Sequence, residues 1–404
     1  MKLGHGRALL HVREFGLDDY RAEFIEACIS NQVYDTQCED SRTQWLGEFF
    51  EGSPAWLIDP LVRAYSTVDD QRSLFQMAEL LGLLGRRGCE RAKRALYDGF
   101  RYLEWGFLGD EELLSLDGTD GLLWILSQVR DLEDVQEHHL DSMFYHYDEL
   151  FGEGEGVKYL DPHSPPAQPL KGSSSSRQPR QGREKPRRAS AEEFVEAARV
   201  GQVPIGYCRS WSIRASTEEL AIVAEAVKNE DNPEPLERLL RCFMDTGLPE
   251  YWPGLLDLCE HEVHDVRWVT YWVLRHHRHP DVRALAIRRL EENRTVEGEF
   301  KLFQSNFEKG DAKRILASAR RFPEVEEYIF HWALDDILDV AIANPIRETL
   351  SLLIYGYEKT PCTNCRLTAV EEMSKRGDLP GWIVEECRQG CDFYLREKLD
   401  LWKP

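Results

Sequence analysis

Residues 264–293 show helical periodicity twice, with a short turn at residues 276–280 between the two copies. Apolar side chains recur at spacings of three and four residues in each copy, which is typical of a helix with one buried face. Asp265 and Asp281 stand at the start of these runs and are predicted to cap them. Paired short helices are the building unit of helical solenoids, so the chain is predicted to be all-α.

The same pattern continues on both sides of this stretch. One apolar face runs from Leu74 to Leu84, and a second runs from Ala92 to Leu103, with a glycine-flanked turn at residues 85–88 between them. Short turns between helices favour antiparallel neighbours. We therefore expect an irregular α-solenoid of antiparallel helix pairs arranged in two lobes.

Charge and composition divide the chain into three parts. Residues 1–160 carry 15 Lys and Arg against 31 Asp and Glu, and residues 191–404 carry 28 against 39. Residues 161–190 carry seven basic against two acidic residues and are rich in Gly, Ser and Pro. The sequence thus predicts an acidic N-terminal helical lobe at 1–160, a basic disordered linker at 161–190 and a C-terminal helical lobe at 191–404.

The linker allows two interpretations. One is a solvated tether between the lobes. The other is an exposed regulatory segment that is cut at Arg187 or Arg188 by an arginine-directed protease, or modified at Ser190. The sequence leaves both open.

The pattern of apolar residues indicates a cytoplasmic protein. No run approaches the 18 or more apolar residues of a membrane span, and the N-terminal residues lack the features of a signal peptide. The ten cysteines are scattered, and several fall within apolar helical patterns, which is typical of reduced, buried thiols. We expect no membrane contact.

The repeated Asp-Val-Arg element resembles HEAT-like repeats. In that family the aspartate caps a repeat helix and the arginine bonds across to the next repeat, which the resemblance implies for Asp265 with Arg267 and for Asp281 with Arg283. The two copies lie 16 residues apart, whereas solenoid repeats run to about 40 residues, so the array is irregular. The tail from Pro361 to Trp402 is similar to the ends of bacterial HEAT-repeat proteins of unknown function.

Four cysteines near the C-terminus are the best metal candidates. Cys362 and Cys365 form a CxxC element, and Cys387 and Cys391 follow with an unusual CxxxC spacing. Zinc requires four convergent ligands, which two such elements on adjacent helices can supply. Packing cysteines at a helix contact, with no cofactor, and a redox pair are the alternatives.

The repeat stretch also combines arginines with aromatic residues. Residues 264–294 contain seven arginines against four acids, and the candidate binding residues are Trp268, Tyr271, Trp272, Arg275, Arg278 and Arg283. HEAT-like DNA glycosylases bind DNA in a basic groove with aromatic residues at its centre, and this resemblance implies a nucleic-acid-binding alternative. The structural interpretation is that the aromatic side chains belong to the core and the arginines bond between repeats.

The overall acidity favours a protein partner. Phosphate contacts dominate nucleic-acid affinity, and a net charge of −22 opposes them. The sequence also holds no glycine-rich nucleotide-binding motif, phosphate-binding loop or GxSxG element. We predict a non-enzymatic scaffold or regulatory adaptor without a cofactor, in which a concave, acidic, aromatic-rich surface binds a basic protein segment. Displacement or cleavage of the basic linker is a further hypothesis for its regulation.

Overall fold

The computed structural model describes residues 1, 3–31, 42–130, 135–156, 189–292, 298–321, 327–360 and 362–399. Regular structure in these ranges is almost entirely helical, which confirms the all-α prediction. None of the helices described here has the length and apolar content that a membrane crossing requires.

The described residues up to 156 form helices and one short hairpin. The helices are α1 Gly6–Phe15, α2 Arg21–Ile29, α3 Arg42–Leu46, α4 Ala55–Tyr65, α5 Gln71–Arg86, α6 Glu90–Gly99, α7 Asp110–Asp117, α8 Thr119–Val129 and α9 Glu137–Phe151. The strands β1 Arg101–Leu103 and β2 Gly106–Leu108 pair antiparallel, with Arg101 opposite Leu108.

The described residues from 189 onward are helical throughout their regular structure. The helices are α10 Ala191–Arg199, α11 Ile205–Ser212, α12 Thr217–Lys228, α13 Pro233–Arg241, α14 Gly254–Leu258, α15 His264–Leu274, α16 Pro280–Glu291, α17 Phe303–Asn306, α18 Asp311–Ala319, α19 Glu327–Ala343, α20 Leu350–Lys359, α21 Thr363–Lys375, α22 Gly381–Cys387 and α23 Phe393–Leu399.

Two compact units divide the chain. The first comprises Met1–Pro179 with Pro380–Lys403, and the second comprises Arg180–Leu379 with Pro404. The final helices α22 and α23 therefore belong to the first unit, whereas the predicted lobe of 191–404 placed them in the second. Local apolar periodicity shows that a segment is helical but carries no information on which unit buries it.

The end of the chain is fixed to the start of the chain in the first unit. Cys391 N donates to Gly4 O over 2.9 Å, and the Trp45 indole N–H donates to Gln389 O over 2.7 Å. A Cβ at Gly6 would lie 1.9 Å from the Glu386 carbonyl oxygen, so α1 and α22 approach more closely than any other residue at this position permits. Long-range contacts of this kind cannot be read from the sequence.

Core packing in the first unit follows the predicted periodicity. Leu74, Met77, Leu81 and Leu84 of α5 are all at most 1% exposed. The helix starts where the Asp70 side chain accepts a hydrogen bond from Ser73 N. Burial of a side chain such as these stabilises the fold by roughly 1.5–3 kcal/mol.

Two capping boxes begin helices of the second unit. At α12 the Ser216 hydroxyl accepts from Glu219 N and the Glu219 carboxylate accepts from Ser216 N, so these two residues form a capping box. Ser190 and Glu193 form the same arrangement at α10. Each box satisfies two backbone N–H groups that a helix start leaves unpaired.

Candidate functional site

Three of the predicted binding residues meet at one charged cluster in the second unit. The Trp268 and Trp272 rings lie 5.5 Å apart, and the Arg275 guanidinium lies 4.3 Å from the centre of the Trp272 ring. Both tryptophans are half-buried. The side chains of α15 therefore present an aromatic pair already occupied by a cation.

Lys301 adds a second cation that contacts Trp272. Its Nζ lies 4.1 Å from the Trp272 ring centre and makes ion pairs with Asp336 and Asp339 of α19. Lys301 is 1% exposed and Asp336 is 3% exposed, and burial raises the pKa of Asp336 to about 6. Burying these charges costs free energy that only their mutual attraction offsets, so the cluster joins the helices together.

Tyr271 of α15 lies in the core. It is 1% exposed, and its hydroxyl accepts from Nε of Arg289, which is itself 1% exposed. Arg289 also bonds to Cys259 O and to the Glu260 carboxylate. Tyr271 is thus a core residue, in agreement with the structural interpretation of the aromatic residues.

Arg278 and Arg283 line a separate cleft of about 540 Å³ together with residues such as Asn306 and Glu308. Arg278 is exposed, whereas Arg283 makes two hydrogen bonds to the Asp311 carboxylate, which is 1% exposed. The hydrogen bond to Asp311 is the main cause that raises the pKa of Arg283. Arg283 therefore joins α16 to α18.

The structure places the two predicted capping aspartates inside the first helical turn. Helix α15 has Val263 as its N-cap, so Asp265 is not the cap. Helix α16 has His279 as its N-cap, whose Nδ1 accepts from Asp281 N over 3.3 Å. Pro280 fits the first helical position and so moves the helix start ahead of Asp281. An acid in the first turn still interacts favourably with the helix dipole.

Arg267 bonds backwards to the loop that precedes its own helix. Its Nη1 donates to His261 O over 2.6 Å and to Glu262 O over 2.9 Å, both in the loop before α15. Arg283 in the second copy bonds forward, to Asp311 of α18.

The four predicted zinc ligands fall into different units. Cys387 and Cys391 belong to the first unit. Cys362 and Cys365 belong to the second, where both are buried and lie with His331 of α19, the candidate ligand atoms all within 4.8 Å of one another. The tertiary fold thus brings a histidine to the CxxC element that the sequence could not associate with it.

Hydrogen bonds join this group of three. The Cys365 Sγ lies 3.2 Å from His331 Nε2 and 4.0 Å from Asp335 Oδ1. A hydrogen bond from the Cys365 thiol, aided by His331, lowers the pKa of the Cys362 thiol, whereas the bond to Cys362 and burial raise the pKa of Cys365. Burial raises the pKa of Asp335. The hydrogen bond within the CxxC element thus shifts the pKa values of its two thiols in opposite directions.

The predicted linker site is described only at its end. Arg187 and Arg188 lie outside the described residues. Ser190 is the N-cap of α10, and its hydroxyl accepts from Glu193 N over 3.3 Å. Modification of this hydroxyl would act directly on a helix start.

An acidic and aromatic face of α9 in the first unit escaped the sequence analysis. Met143 and Tyr147 are buried, and the Tyr147 hydroxyl lies 2.8 Å from that of Thr119. On the other side, Asp141, Tyr145 and Glu149 recur at four-residue spacing and are exposed. The four-residue spacing of these residues was the sequence signal for an exposed face. It is difficult to recognise because aromatic residues occupy both faces of the helix.

Two more large apolar side chains are exposed at the C-terminal end of α9. Tyr145 is 61% exposed, and Leu150 and Phe151 are 51% and 46% exposed. We use the name α9 face for Asp141, Tyr145 and Glu149, on one side of the helix, together with the exposed Leu150 and Phe151 at its C-terminal end. Exposed aromatic and aliphatic groups beside carboxylates suit a partner that carries both apolar and positive groups.

Comparison with known proteins adds no assignment: no protein-family model, no curated protein and no solved structure matches this chain significantly.

Proposed function

We propose that this protein is a non-enzymatic adaptor of HEAT-like, irregular solenoid architecture that binds a basic segment of a partner protein. The α9 face is the observation that carries the proposal. It combines two exposed carboxylates with the exposed side chains of Tyr145, Leu150 and Phe151. Aromatic residues of this kind supply most of the affinity at protein interfaces, while charge steers the encounter.

The charge balance supports the choice of a basic partner. The first 160 residues carry 31 acidic against 15 basic residues. An acidic field attracts a cationic segment and raises its association rate at low ionic strength. The chain's own residues 161–190, with seven basic and two acidic residues, have the composition of such a ligand. In this proposal the partner displaces residues 161–190 from the α9 face, and this displacement is the regulatory step.

The arginines of the nucleic-acid alternative support the same choice. Arg275 bonds to Met244 O, Arg283 to Asp311 and Arg289 to Glu260. Guanidinium groups held by carboxylates and carbonyls are less available for phosphate contacts. Their role in this proposal is to join neighbouring helices.

The test is a fluorescence anisotropy titration of the full chain with a labelled basic amphipathic peptide. We expect the affinity to fall as salt is added and to fall at least about tenfold when Tyr145 and Leu150 are both changed to alanine. The matched control changes Tyr207 and Ile213, which are 42% and 72% exposed in the second unit. Unlabelled peptide 161–190 is expected to compete with the labelled peptide.

Two outcomes would overturn the proposal. One is equal peptide affinity for the double variant of the α9 face and for its matched control. The other is tighter binding of labelled duplex DNA than of the peptide, with loss of DNA binding on Arg278→Met, which would establish the nucleic-acid alternative.

A further inference from the structure

We propose that His331, Asp335, Cys362 and Cys365 bind one zinc ion in the second unit. The inference is independent of the proposed function, because none of these residues belongs to the α9 face. It differs from the four-cysteine site that the sequence suggested in replacing Cys387 and Cys391 with two residues of α19.

The elements on which these residues lie hold them together. His331 and Asp335 are one turn apart on α19, so their side chains share one face. Cys362 is the N-cap residue of α21, and Cys365 lies in the first turn of that helix. Helices α19 and α21 pack against each other. A rigid pair of helices therefore presents two ligands from each side.

The distances fit a tetrahedral ion. Zinc binds sulfur at about 2.3 Å and histidine nitrogen at about 2.0–2.1 Å, which places ligand atoms about 3.5–3.8 Å from one another. The His331, Cys362 and Cys365 atoms lie within 4.8 Å of one another, and Cys365 Sγ lies 3.2 Å from His331 Nε2. Small side-chain rotations suffice to admit the ion.

Asp335 is the candidate for the fourth position, and its side chain must rotate toward the ion because it lies outside the group whose ligand atoms are all within 4.8 Å of one another. Its Oδ1 lies 4.0 Å from Cys365 Sγ. Structural zinc sites are almost always four-coordinate, and a carboxylate oxygen is an accepted ligand. With two thiolates and one carboxylate, the ligand charge exceeds that of the ion, and His331 supplies the neutral ligand.

The donor atoms select the metal. Thiolate and imidazole groups favour zinc over magnesium and calcium, which take oxygen ligands. Cys362 is 3% exposed and Cys365 is 6% exposed, so the ion would be shielded from solvent on the side of α21. A buried site with four protein ligands stabilises structure, and this one would tie α19 to the start of α21.

Cobalt titration of the reduced full-length chain tests the proposal. Tetrahedral cobalt bound by thiolates shows intense visible bands and sulfur-to-metal charge transfer. We expect saturation at one ion per chain, displacement by zinc, and loss of the charge-transfer band in Cys362→Ser and Cys365→Ser. His331→Gln and Asp335→Asn are expected to weaken binding at least about tenfold.

Cys387→Ser and Cys391→Ser provide the matched controls, because they remove thiols of the first unit and should leave the cobalt spectrum unchanged. Circular dichroism of each variant shows whether it is folded. Absence of cobalt uptake by the wild-type chain would overturn the proposal without recourse to variants. So would loss of the spectrum in the control variants, or a Cys362–Cys365 disulfide in protein purified under reducing conditions.

Discussion

Replacement of Arg283 by methionine tests whether the repeat-like arginines support the fold. The change keeps much of the side-chain volume and removes the guanidinium from Asp311, whose side chain is 1% exposed. It also removes the donor to Asn306 O, a bond of 2.6 Å. A buried carboxylate without its cation is costly, so the second unit should lose stability.

The contacts of Asp311 determine how much stability the Arg283→Met variant should lose. Breaking a buried ion pair by removing one partner costs about 3–5 kcal/mol. Asp311 still accepts from Glu308 N over 2.7 Å, and Arg314 lies 3.8 Å away, so the cost should fall at the lower end, about 3 kcal/mol. The double variant Arg283→Met with Asp311→Asn should recover part of this loss, since neither charge remains buried.

Hydrogen exchange measured by mass spectrometry gives a local readout in a chain of two units. A loss of about 3 kcal/mol makes the best-protected amides of α16 and α18 exchange about 150-fold faster. Arg278→Met is the matched control, because Arg278 is exposed in the same stretch and should change stability by less than about 0.5 kcal/mol. Equal exchange in the two variants would refute the structural role of Arg283.

Three further predictions concern other parts of the chain. Glu112 is 9% exposed, and burial raises its pKa well above the ordinary 4.5, so the folded state loses stability as the pH rises above 4.5. Glu112→Gln should therefore raise the melting temperature at pH 8 and leave it unchanged at pH 4. An equal shift of the melting temperature at the two pH values would contradict this. Ser190→Ala removes the N-cap of α10 and should lower the stability of this helix start by about 1 kcal/mol. We expect faster hydrogen exchange confined to the first turn of α10. Unchanged hydrogen exchange in that turn would show that the cap does not stabilise the helix. Gly6→Ala brings a methyl group against Glu386 O and should lower the unfolding temperature of the first unit. Gly206 has open space around it, so Gly206→Ala should be neutral or stabilising. Equal effects of the two variants would count against the close contact between Gly6 and Glu386.

Much of the helical structure could be predicted because its signals are local. The capping box at Ser216 and the apolar face from Leu74 to Leu84 are each contained within a few helical turns. Even so, local signals misplaced two helix starts. The imidazole of His279 caps α16 in place of Asp281, since a proline at the next position fixes the helix start.

The candidate sites could be predicted only in part. Sequence spacing identified Cys362 and Cys365 as a potential ligand pair, but associated them with Cys387 and Cys391, which the fold places in the other unit. His331 had no signal in the sequence, because a single histidine in an apolar helix does not indicate a ligand. Its significance arises from the packing of α19 against α21.

The sequence by itself determined the all-helical class, the acidic and basic parts of the chain and the faces of many helices, because periodicity and charge are properties of neighbouring residues. Tertiary structure decided which distant residues meet. It packs α22 against α1, gives Arg283 its partner Asp311 and brings His331 to the CxxC element. These contacts join residues far apart in the chain, and the free energy that selects them comes from packing the whole unit.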